Sequence, residues 1–520
     1  IALTVFMKQI VLKDSIKHNI SSILHAISKR NSLMRMHKIV SSMIGGILTA
    51  GFGGSIGLES PIISSGSAIG SNLGRVLHLN YKSVTLLLAC GAAGAIAAIF
   101  NTPIAAIVVV FEVLLLDLTR FSLIPLLISS SSGAVLTRIF YEEEILFDFT
   151  VIDKFTINDI GFFALFAVVS AFVSLYFTKT FLFMEHKYEV FVKPSRRLLF
   201  GALVLGLMIF LFPPLFGEGF ETIKSLLSGN YSQVLNNSPY YPLLSNDNHI
   251  IIIVFFSILC LVKVIATVTT IGAGGIGGIF APSLFTGAIS GFLFAYTLNA
   301  FFDLNLSVSN FILVGMSCTL GGVLHAPLTG IFLIAEITSG YELIVPLMIA
   351  TTITFIVVKY VEPDSIVTKQ LAAKGELITH NKDKAVLTFM ELKTVIERDF
   401  RTIGIDATLG DLVNEIAQSK RDIFPVLDSE QKLAGIVHLS DIRDIMFNIK
   451  LYEETFVRNL MVIPPALITS EDTMEIVMKK FKKTDAWNLP VVDKGKYVGF
   501  VSKSKMFTVY RNLLVNLSEE

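Results

Sequence analysis

Charged residues are scarce in this sequence. Lysine, arginine, aspartate and glutamate make up 16% of the 520 residues, whereas an average soluble protein has about 25%. The 42 basic and 42 acidic side chains cancel, so the formal net charge is zero. A chain without a basic excess lacks the electrostatic footprint of a nucleic-acid-binding protein, so we expect no nucleic-acid partner.

Cysteine is also rare. The three cysteines, Cys90, Cys260 and Cys318, all lie in apolar stretches. Their number and spacing indicate neither a disulfide framework nor a metal site, and we expect three small buried hydrophobic side chains. The sequence has no initiator methionine and no signal-peptide pattern. We expect that one or two helices of the membrane part precede it in a longer chain.

Long uncharged runs are what the sequence has instead, since 53% of its residues are hydrophobic. Several runs exceed the roughly 18 apolar residues that a helix needs to cross a bilayer. They predict a polytopic α-helical membrane protein embedded in a lipid bilayer. The runs lie near residues 84–116, 121–140, 158–183, 198–216, 250–271, 283–302, 309–335 and 344–358.

Composition changes near residue 360. From "KYVEPDSIV" (359–367) onward the sequence is charged and no long apolar run returns. We therefore divide the chain into a membrane part, 1–360, a linker, 361–385, and a soluble tail. The tail is divided further into 386–448 and 449–520.

The membrane part contains an internal repeat. "GAAGAIAAIFNTPIAAIVVVFEV" (91–113) and "GMSCTLGGVLHAPLTGIFLIAEI" (315–337) place glycine, proline and glutamate at matching positions, 224 residues apart. Upstream of each lies a glycine-rich stretch that ends in proline, "GLESP" (57–61) and "GIFAP" (278–282), and these prolines are 221 residues apart. Paired, interrupted segments of this kind are typical of transporters with an inverted-topology repeat.

The interruptions suggest a binding site. Broken helices at membrane depth are tolerated only around a protected cavity. A helix that starts inside the membrane points free N–H groups and the positive end of its dipole at that cavity. We expect the four helix starts to face one point and to bind an anion there. The alternative is that these glycines only allow close helix packing.

These motifs resemble those of the CLC family of chloride channels and chloride/proton exchangers. "GLESP" resembles the family's G-[K/R]-E-G-P motif, with Leu58 in place of the basic residue and Ser60 in place of the second glycine. "GGIFAP" (277–282) matches its G-x-F-x-P motif, and the helices that follow also match. The resemblance covers about 34–360. It implies a homodimer with a separate anion path in each subunit.

The resemblance also implies roles for single residues. Glu59 would be the gate, whose carboxylate competes with the anion for one site and moves aside when it takes up a proton. An anion-binding role falls on the backbone of Gly57, Leu58, Gly278, Ile279 and Phe280, with glycine allowing close approach. An ionisable residue within a membrane is a functional hypothesis by default. The alternative for Glu59 is a helix-capping carboxylate.

Three features of the family pattern are replaced. Aligning Asn19-Ile20-Ser21 with the family's G-I-P places His18 at the serine that coordinates the anion, which would substitute a titratable imidazole for a hydroxyl. Val113 stands where exchangers often carry a second glutamate for protons. Ser365 or Val367 stands where the family has a pore tyrosine, because the spacing of Tyr360 does not fit.

The remaining intramembrane charges have simpler interpretations. Glu112 recurs as Glu336 in the second repeat, which favours a structural role for both. Lys263, in "LCLVKVIATV", either pairs with a buried carboxylate or extends to the membrane interface. A structural role is favoured for it as well.

The soluble tail has its own repeat. "DIFPVLDSEQKLAGIVHLSDI" (422–442) parallels "WNLPVVDKGKYVGFVSKSKM" (487–506), with prolines 65 residues apart. Each copy predicts two strands and a helix, preceded by an amphipathic helix at 406–419 or 470–483. The spacing of Thr408 and Asp411 predicts a capping box at the start of the first of these helices. The tail resembles a pair of soluble α/β CBS domains, which in CLC proteins follow the membrane part on its cytoplasmic side.

CBS pairs often bind adenine nucleotides, and a ribose-binding aspartate usually closes the G-h-h-[S/T]-x-x-D pattern. The first copy has Asp441, but His438 replaces the hydroxyl residue. The second has Ser502, but Lys505 replaces the aspartate. Nucleotide binding through Asp441 and a purely structural, dimerising role both stay open. We expect that the protein requires no cofactor, with an adenine nucleotide at the CBS pair as the one candidate ligand.

The prediction is channel-like or loosely proton-coupled transport of chloride or a similar anion. Coupled chloride/proton antiport and fluoride or nitrate selectivity stay open within it. A divalent-cation transporter would need acidic oxygen ligands in its pore, but the three intramembrane acids, Glu59, Glu112 and Glu336, each fit the anion pattern. A non-transporting sensor or scaffold is the remaining alternative. No nucleophile–base constellation or P-loop indicates an enzyme.

Overall fold

The computed structural model describes residues 1–6, 20–114, 120–141, 155–190, 194–236, 238–239, 249–338, 341–373, 390, 392–493 and 495–518. It divides into two compact units, Ile1–Leu377 and Ile378–Glu520. Among its described residues, the first unit has helices and no strand of two or more residues. The second contains both strands and helices.

The helices of the first unit are named in chain order. They are α1 Ala2–Phe6, α2 Ile20–Lys29, α3 Lys38–Gly51, α4 Glu59–Val76, α5 Tyr81–Phe100, α6 Pro103–Glu112, α7 Arg120–Tyr141, α8 Ile160–Val190, α9 Pro194–Leu211, α10 Phe220–Leu227, α11 Tyr231–Asn236, α12 His249–Gly272, α13 Phe280–Phe302, α14 Val308–Leu324, α15 Pro327–Ile337, α16 Ile344–Val361 and α17 Ile366–Ala373.

Six stretches of the described residues are long and apolar enough to cross a membrane: Tyr81–Phe100, Ser122–Phe140, Ile157–Tyr188, His249–Gly272, Phe280–Phe302 and Ile344–Leu371. Shorter apolar helices, among them α3, α6, α14 and α15, accompany them. The predicted multi-pass membrane protein is confirmed. The three cysteines are buried and free, as expected.

Two of the apolar runs are each divided into a pair of helices. α5 ends at Asn101 and α14 ends at His325, and both of these residues have a positive φ, 55° and 58°. Pro103 and Pro327 then occupy the first turns of α6 and α15. A left-handed residue ends a helix, and proline fits the first turn because its missing N–H would have no intrahelical acceptor. The same break recurs in both halves.

Glycines set close helix contacts in both halves. A Cβ atom on Gly66 would lie 2.3 Å from the carbonyl oxygen of Gly91, and one on Gly287 would lie 2.2 Å from that of Gly315. Only glycine permits such an approach of two backbones. These contacts join α4 to α5 and α13 to α14, so the predicted internal repeat is confirmed as a repeat of packing.

The second unit contains two sheets. The strands are β1 Ile396–Glu397, β2 Ile403–Gly404, β3 Ile423–Leu427, β4 Leu433–His438, β5 Ile468–Thr469, β6 Asn488–Asp493 and β7 Lys496–Ser502, and the helices are α18 Leu392–Val395, α19 Leu409–Ala417, α20 Leu439–Ile442, α21 Met474–Thr484 and α22 Lys503–Ser518. The strand orders are β2-β3-β4 and β1-β7-β6-β5. In each sheet a parallel pair adjoins an antiparallel hairpin.

The two soluble repeats match in detail. Pro425 pairs with Ile436 in one hairpin and Pro490 pairs with Phe500 in the other. The predicted capping box of α19 is confirmed, since the Thr408 hydroxyl accepts from the Asp411 N–H and the Asp411 carboxylate accepts from the Thr408 N–H. These contacts lower the pKa of Asp411, first through the Thr408 backbone N–H and then through its hydroxyl.

Candidate functional site

The glycine-rich stretches of the two halves meet. Gly57 donates to the carbonyl oxygen of Gly278 at 3.0 Å, and Gly278 donates to that of Gly57 at 2.9 Å. This two-residue antiparallel bridge brings the start of α4 beside the start of α13. Two helices from opposite halves of the repeat therefore begin at one place inside the membrane unit.

Threonines fix the same relationship one turn earlier. The Thr49 hydroxyl accepts from the N–H of Ile276 at 3.1 Å, and the Thr270 hydroxyl accepts from the N–H of Ser55 at 3.2 Å. Both threonines also donate within their own helices, α3 and α12. Each half thus anchors the loop that precedes the other half's helix, as an approximate two-fold relation requires.

Both bridging glycines are sterically required. A Cβ atom on Gly57 would lie 2.1 Å from Oε2 of Glu59, and one on Gly278 would lie 2.0 Å from Oγ and 2.7 Å from Cβ of Ser60. No side chain fits at either position without movement of these neighbours. The space beside each glycine is already taken by the first residues of α4.

Glu59 is the first residue of α4 and is 2% exposed. Its carboxylate lies near its own backbone N–H and near that of Ala281, in the first turn of α13. Neither oxygen forms a hydrogen bond of acceptable geometry with any described residue. A buried carboxylate without a partner is costly, and the positive ends of two helix dipoles offset part of that cost.

The backbone groups that were predicted to bind an anion fall into two sets. The N–H groups of Gly57 and Gly278 bond to each other, and that of Leu58 donates to Oε1 of Glu218 at 2.7 Å. Ile279 and Phe280 stand at the start of α13, where N–H groups have no intrahelical acceptor. Gly57, Leu58 and Gly278 thus have acceptors within the protein, and an anion-binding role for Ile279 and Phe280 stays a prediction.

Glu218 is a functional candidate that the sequence analysis missed. It lies between Gly217 and Gly219, which have φ values of +63° and +95°, in the turn before α10. Its carboxylate accepts from the N–H at the N-cap of α4, one residue from Glu59. A sharp glycine–acid–glycine turn directly after the apolar run 198–216 is the signal that could have identified it.

Lys263 completes a buried charge cluster with these two glutamates. Its side chain is fully buried, and Nζ donates to the carbonyl oxygens of Gly217 and Glu218, both at 3.2 Å. The same ammonium lies 4.5 Å from the ring centroid of Phe285. It also interacts electrostatically with Glu59 and Glu218. The alternative in which Lys263 extends to the membrane interface is therefore wrong.

The four helix starts do not face one point, and this part of the prediction is wrong. The starts of α6 and α15 are occupied by carboxylates from the opposite half. Glu336 accepts from Ile104 and Ala105 at 3.0 and 2.7 Å, and Glu112 accepts from Leu328 and Thr329 at 3.1 and 2.7 Å. Of these four helices, α4 and α13 are the two whose first turns lie at the candidate site.

The residues that replace family features lie in different parts of the membrane unit. His18 lies outside the described residues. Val113 is buried at the C-cap of α6, directly after the glutamate that caps α15. Ser365 and Val367 are both 8% exposed at the start of α17, and Tyr360 is 89% exposed at the end of α16.

Asp441, the candidate nucleotide ligand, lies in the short helix α20 directly after β4. It is exposed, and its Oδ1 accepts from the Ser440 hydroxyl at 2.9 Å. Ser502, the hydroxyl residue of the second copy, is 8% exposed and donates to Glu397 while accepting from the N–H of Lys505. The Ser502 hydroxyl of the second CBS copy is therefore already hydrogen-bonded within the protein.

A site at paired helix starts, within a repeated bundle of broken helices, defines a CLC-type membrane fold. Comparison with known proteins agrees: residues 1–359 match the family described as voltage gated chloride channel, and residues 392–448 and 457–512 match CBS domains. The chain belongs to the voltage-gated chloride channel family and carries a CBS pair.

Single relatives are more distant. The chain is 27% identical over 316 residues to an H(+)/Cl(-) exchange transporter, ClcA, of Vibrio cholerae. The aligned region covers 59% of this chain and 63% of that protein. One similar solved structure is a slow cyanobacterial Cl-/H+ antiporter, with a TM-score of 0.59 and 20% identity over 72% of this chain and 84% of that one. Another is a CLC-type fluoride/proton antiporter, with a TM-score of 0.57 and 23% identity over 70% of this chain and 85% of that one. The structural likeness supports the fold.

Proposed function

We propose that this protein moves chloride or a similar small anion across a membrane, past a gate formed by the side chain of Glu59. The observation that carries the proposal is the buried carboxylate of Glu59 at the start of α4, which lies near its own N–H and near that of Ala281 in the first turn of α13. A carboxylate and a halide suit the same positive helix ends. Protonation of Glu59 removes its charge and leaves the site to the anion.

The donors at this site suit an anion that is bound mainly through backbone N–H groups at helix starts. A hydrogen bond to a charged partner contributes about 1.5–3 kcal/mol, so two amides and two helix dipoles offset part of the lost hydration of an ion. Lys263 is fully buried, donates to the carbonyl oxygen of Glu218 and adds a positive charge to the surroundings. Within the described residues, no group of three or more acidic, histidine or cysteine side chains forms a site for a metal cation.

Coupling to protons is a separate question. Val113 in place of a second glutamate favours channel-like or loosely coupled flow. The name of the Vibrio cholerae relative favours coupled exchange. We propose that protonation of Glu59 controls the pathway in either case, and that the residue at position 113 influences the degree of coupling.

Flux from liposomes tests the proposal. The protein is reconstituted with a chloride gradient, and both chloride efflux and external pH are recorded. Chloride efflux supports anion transport, and chloride that drives protons uphill identifies an exchanger. Fluoride and nitrate are run in parallel, because one similar structure is a fluoride/proton antiporter. Absence of flux with all three anions would favour a non-transporting sensor.

We also propose that the protein is a homodimer, as its family resemblance implies. The molar mass of the detergent-solubilised protein, measured by light scattering with a correction for bound detergent, tests this. A mass of one chain would contradict it.

A further proposal concerns the CBS pair, with an adenine nucleotide bound beside Asp441. It is supported by the exposed carboxylate at the end of β4. Equilibrium dialysis with ATP tests it, with Asp441→Asn as the variant and Asp444→Asn as the matched control. Equal binding by all three proteins would contradict a role for Asp441.

A further inference from the structure

A cavity of about 740 Å³ lies at the turn between α9 and α10. Its lining includes Phe216, Glu218, Glu221, Thr222 and Gln233. Glu218 is partly exposed in it, whereas Glu59 is 2% exposed and does not belong to its lining. Glu218 therefore stands between the cavity and the buried gate.

The Glu218 carboxylate is hydrogen-bonded to the N-terminus of α4, the helix that begins with Glu59. Its Oε1 accepts from the N–H of Leu58 at 2.7 Å, and Leu58 directly precedes Glu59. The two carboxylates interact electrostatically with each other and both interact with Lys263. These are the charged groups that face Glu218 within the described residues, apart from Glu221 in the shared cavity.

One added proton changes the net charge of the cluster formed by Glu59, Glu218 and Lys263. With Glu59 and Glu218 ionised and Lys263 protonated, the buried cluster carries a net charge of −1, and one proton makes it neutral. The two carboxylates interact electrostatically, so a proton on one of them removes a like charge from the surroundings of the other. A proton that enters from the cavity meets Glu218 first.

We propose that Glu218 is a proton-relay residue that carries protons between the cavity and Glu59. A hydronium ion in the cavity gives its proton to the Glu218 carboxylate and leaves as water. The resulting carboxylic acid passes the proton to the Glu59 carboxylate and becomes a carboxylate again. Neutral Glu59 then releases the helix starts to the anion, and the reverse sequence returns the proton. The inference rests on the proposed gate function of Glu59.

Glu218→Gln separates relay from structure. A glutamine keeps an oxygen that accepts from Leu58 but has no titratable group. Anion flux from liposomes is measured from pH 4.5 to 8 with equal pH on both faces. We expect about a hundredfold slower flux in the proton-limited range, the lower end of what a positioned proton-transfer group contributes. Glu221→Gln, in the same cavity but exposed, is the matched control and should behave like wild type.

A second background distinguishes a relay from a structural role. In Glu59→Gln the relay has no acceptor, so adding Glu218→Gln should change flux less than about twofold. Glu218→Asp, which keeps a carboxylate, should restore part of the rate and the pH response, and it keeps the test valid if Glu218→Gln folds poorly.

The outcomes separate the two proposals. Wild-type-like flux and pH response of Glu218→Gln, or an equal loss in the Glu59→Gln background, would overturn the relay and leave the gate intact. Failure of the wild-type protein to move chloride, fluoride or nitrate would overturn the proposed function and the relay with it.

Discussion

Glu112 and Glu336 exchange roles across the two halves of the membrane unit. The carboxylate of Glu112, at the end of α6, binds the first N–H groups of α15, and the carboxylate of Glu336, near the end of α15, binds those of α6. Each glutamate therefore neutralises the positive end of the other's helix. The structural role that their recurrence suggested has a geometric basis.

Replacing either glutamate should destabilise the protein to a similar extent. In Glu112→Gln or Glu336→Gln one of two acceptor oxygens becomes an amide NH₂ that faces a backbone N–H. Since each bond to a charged group contributes about 1.5–3 kcal/mol, we expect a loss of that order and a lower thermal unfolding midpoint in detergent. Glu342→Gln, at an exposed position, should leave the midpoint unchanged. A large loss for one variant and none for the other would contradict the reciprocal arrangement.

The two bridging glycines should respond differently to alanine. At Gly57 the nearest atom is the mobile end of the Glu59 side chain, so Gly57→Ala should displace the gate and alter the pH response of flux without unfolding. At Gly278 the added Cβ would meet both Oγ and Cβ of Ser60, so Gly278→Ala should push the helix starts apart, at a cost of about 1–3 kcal/mol.

Gly206→Ala is the control for both glycine variants, because nothing lies within 4 Å of a Cβ atom at that position in α9. Alanine is favoured over glycine in a helix by up to about 1 kcal/mol, so this variant should be at least as stable as wild type. Thermal unfolding and flux, measured on all three proteins, check these expectations. Equal behaviour of all three would contradict the close approach at the helix starts.

Removing the buried cation should unbalance the cluster. Lys263→Met has a similar volume but leaves Glu59 and Glu218 without the positive charge. Breaking a buried charge arrangement typically costs about 3–5 kcal/mol, so we expect a strongly lowered unfolding midpoint at pH 7 that partly recovers at pH 5, where protonation restores neutrality. Lys187→Met, which is exposed at the end of α8, should show neither effect. A pH-independent loss for Lys263→Met would contradict the charge argument.

The capping box at the start of α19 should make the stability of this helix depend on pH. Its hydrogen bonds lower the pKa of Asp411 below the ordinary value of 3.8. A lowered folded pKa contributes stability that is complete above the ordinary value and is lost as pH falls through the folded value. Hydrogen exchange of amides in Leu409–Ala417 is the measurement, in the whole protein.

Thr408→Ala should cost about 1 kcal/mol, which corresponds to about fivefold faster exchange in this helix. The difference between wild type and Asp411→Asn should be present at neutral pH and should disappear below the lowered pKa of Asp411. A difference that persists after the Asp411 carboxylate has been protonated would show that the side chain acts through something other than its charge.

Much of the site followed from the sequence because its residues lie inside repeated motifs. The glycine-rich stretches before α4 and α13, the prolines at 103 and 327 and the acid at 59 are all local features with a fixed spacing. The capping box is local as well, since Thr408 and Asp411 are three residues apart.

The parts that the sequence did not predict depend on contacts between distant residues. Glu218 binds Leu58 across 160 positions of the chain, and no local pattern links them. The expectation of four converging helix starts was wrong for the same reason. Whether a helix start is open or already capped by a glutamate from the other half is decided only when the halves pack.

The central claim is that Glu59 gates an anion path by gaining and losing a proton. Chloride flux of Glu59→Gln from liposomes, measured from pH 4.5 to 8 beside wild type and Glu221→Gln, tests it most directly. The account predicts that wild type and Glu221→Gln share a steep pH response, whereas Glu59→Gln conducts at a rate that hardly depends on pH and moves no protons uphill. A wild-type pH response in Glu59→Gln would contradict the account.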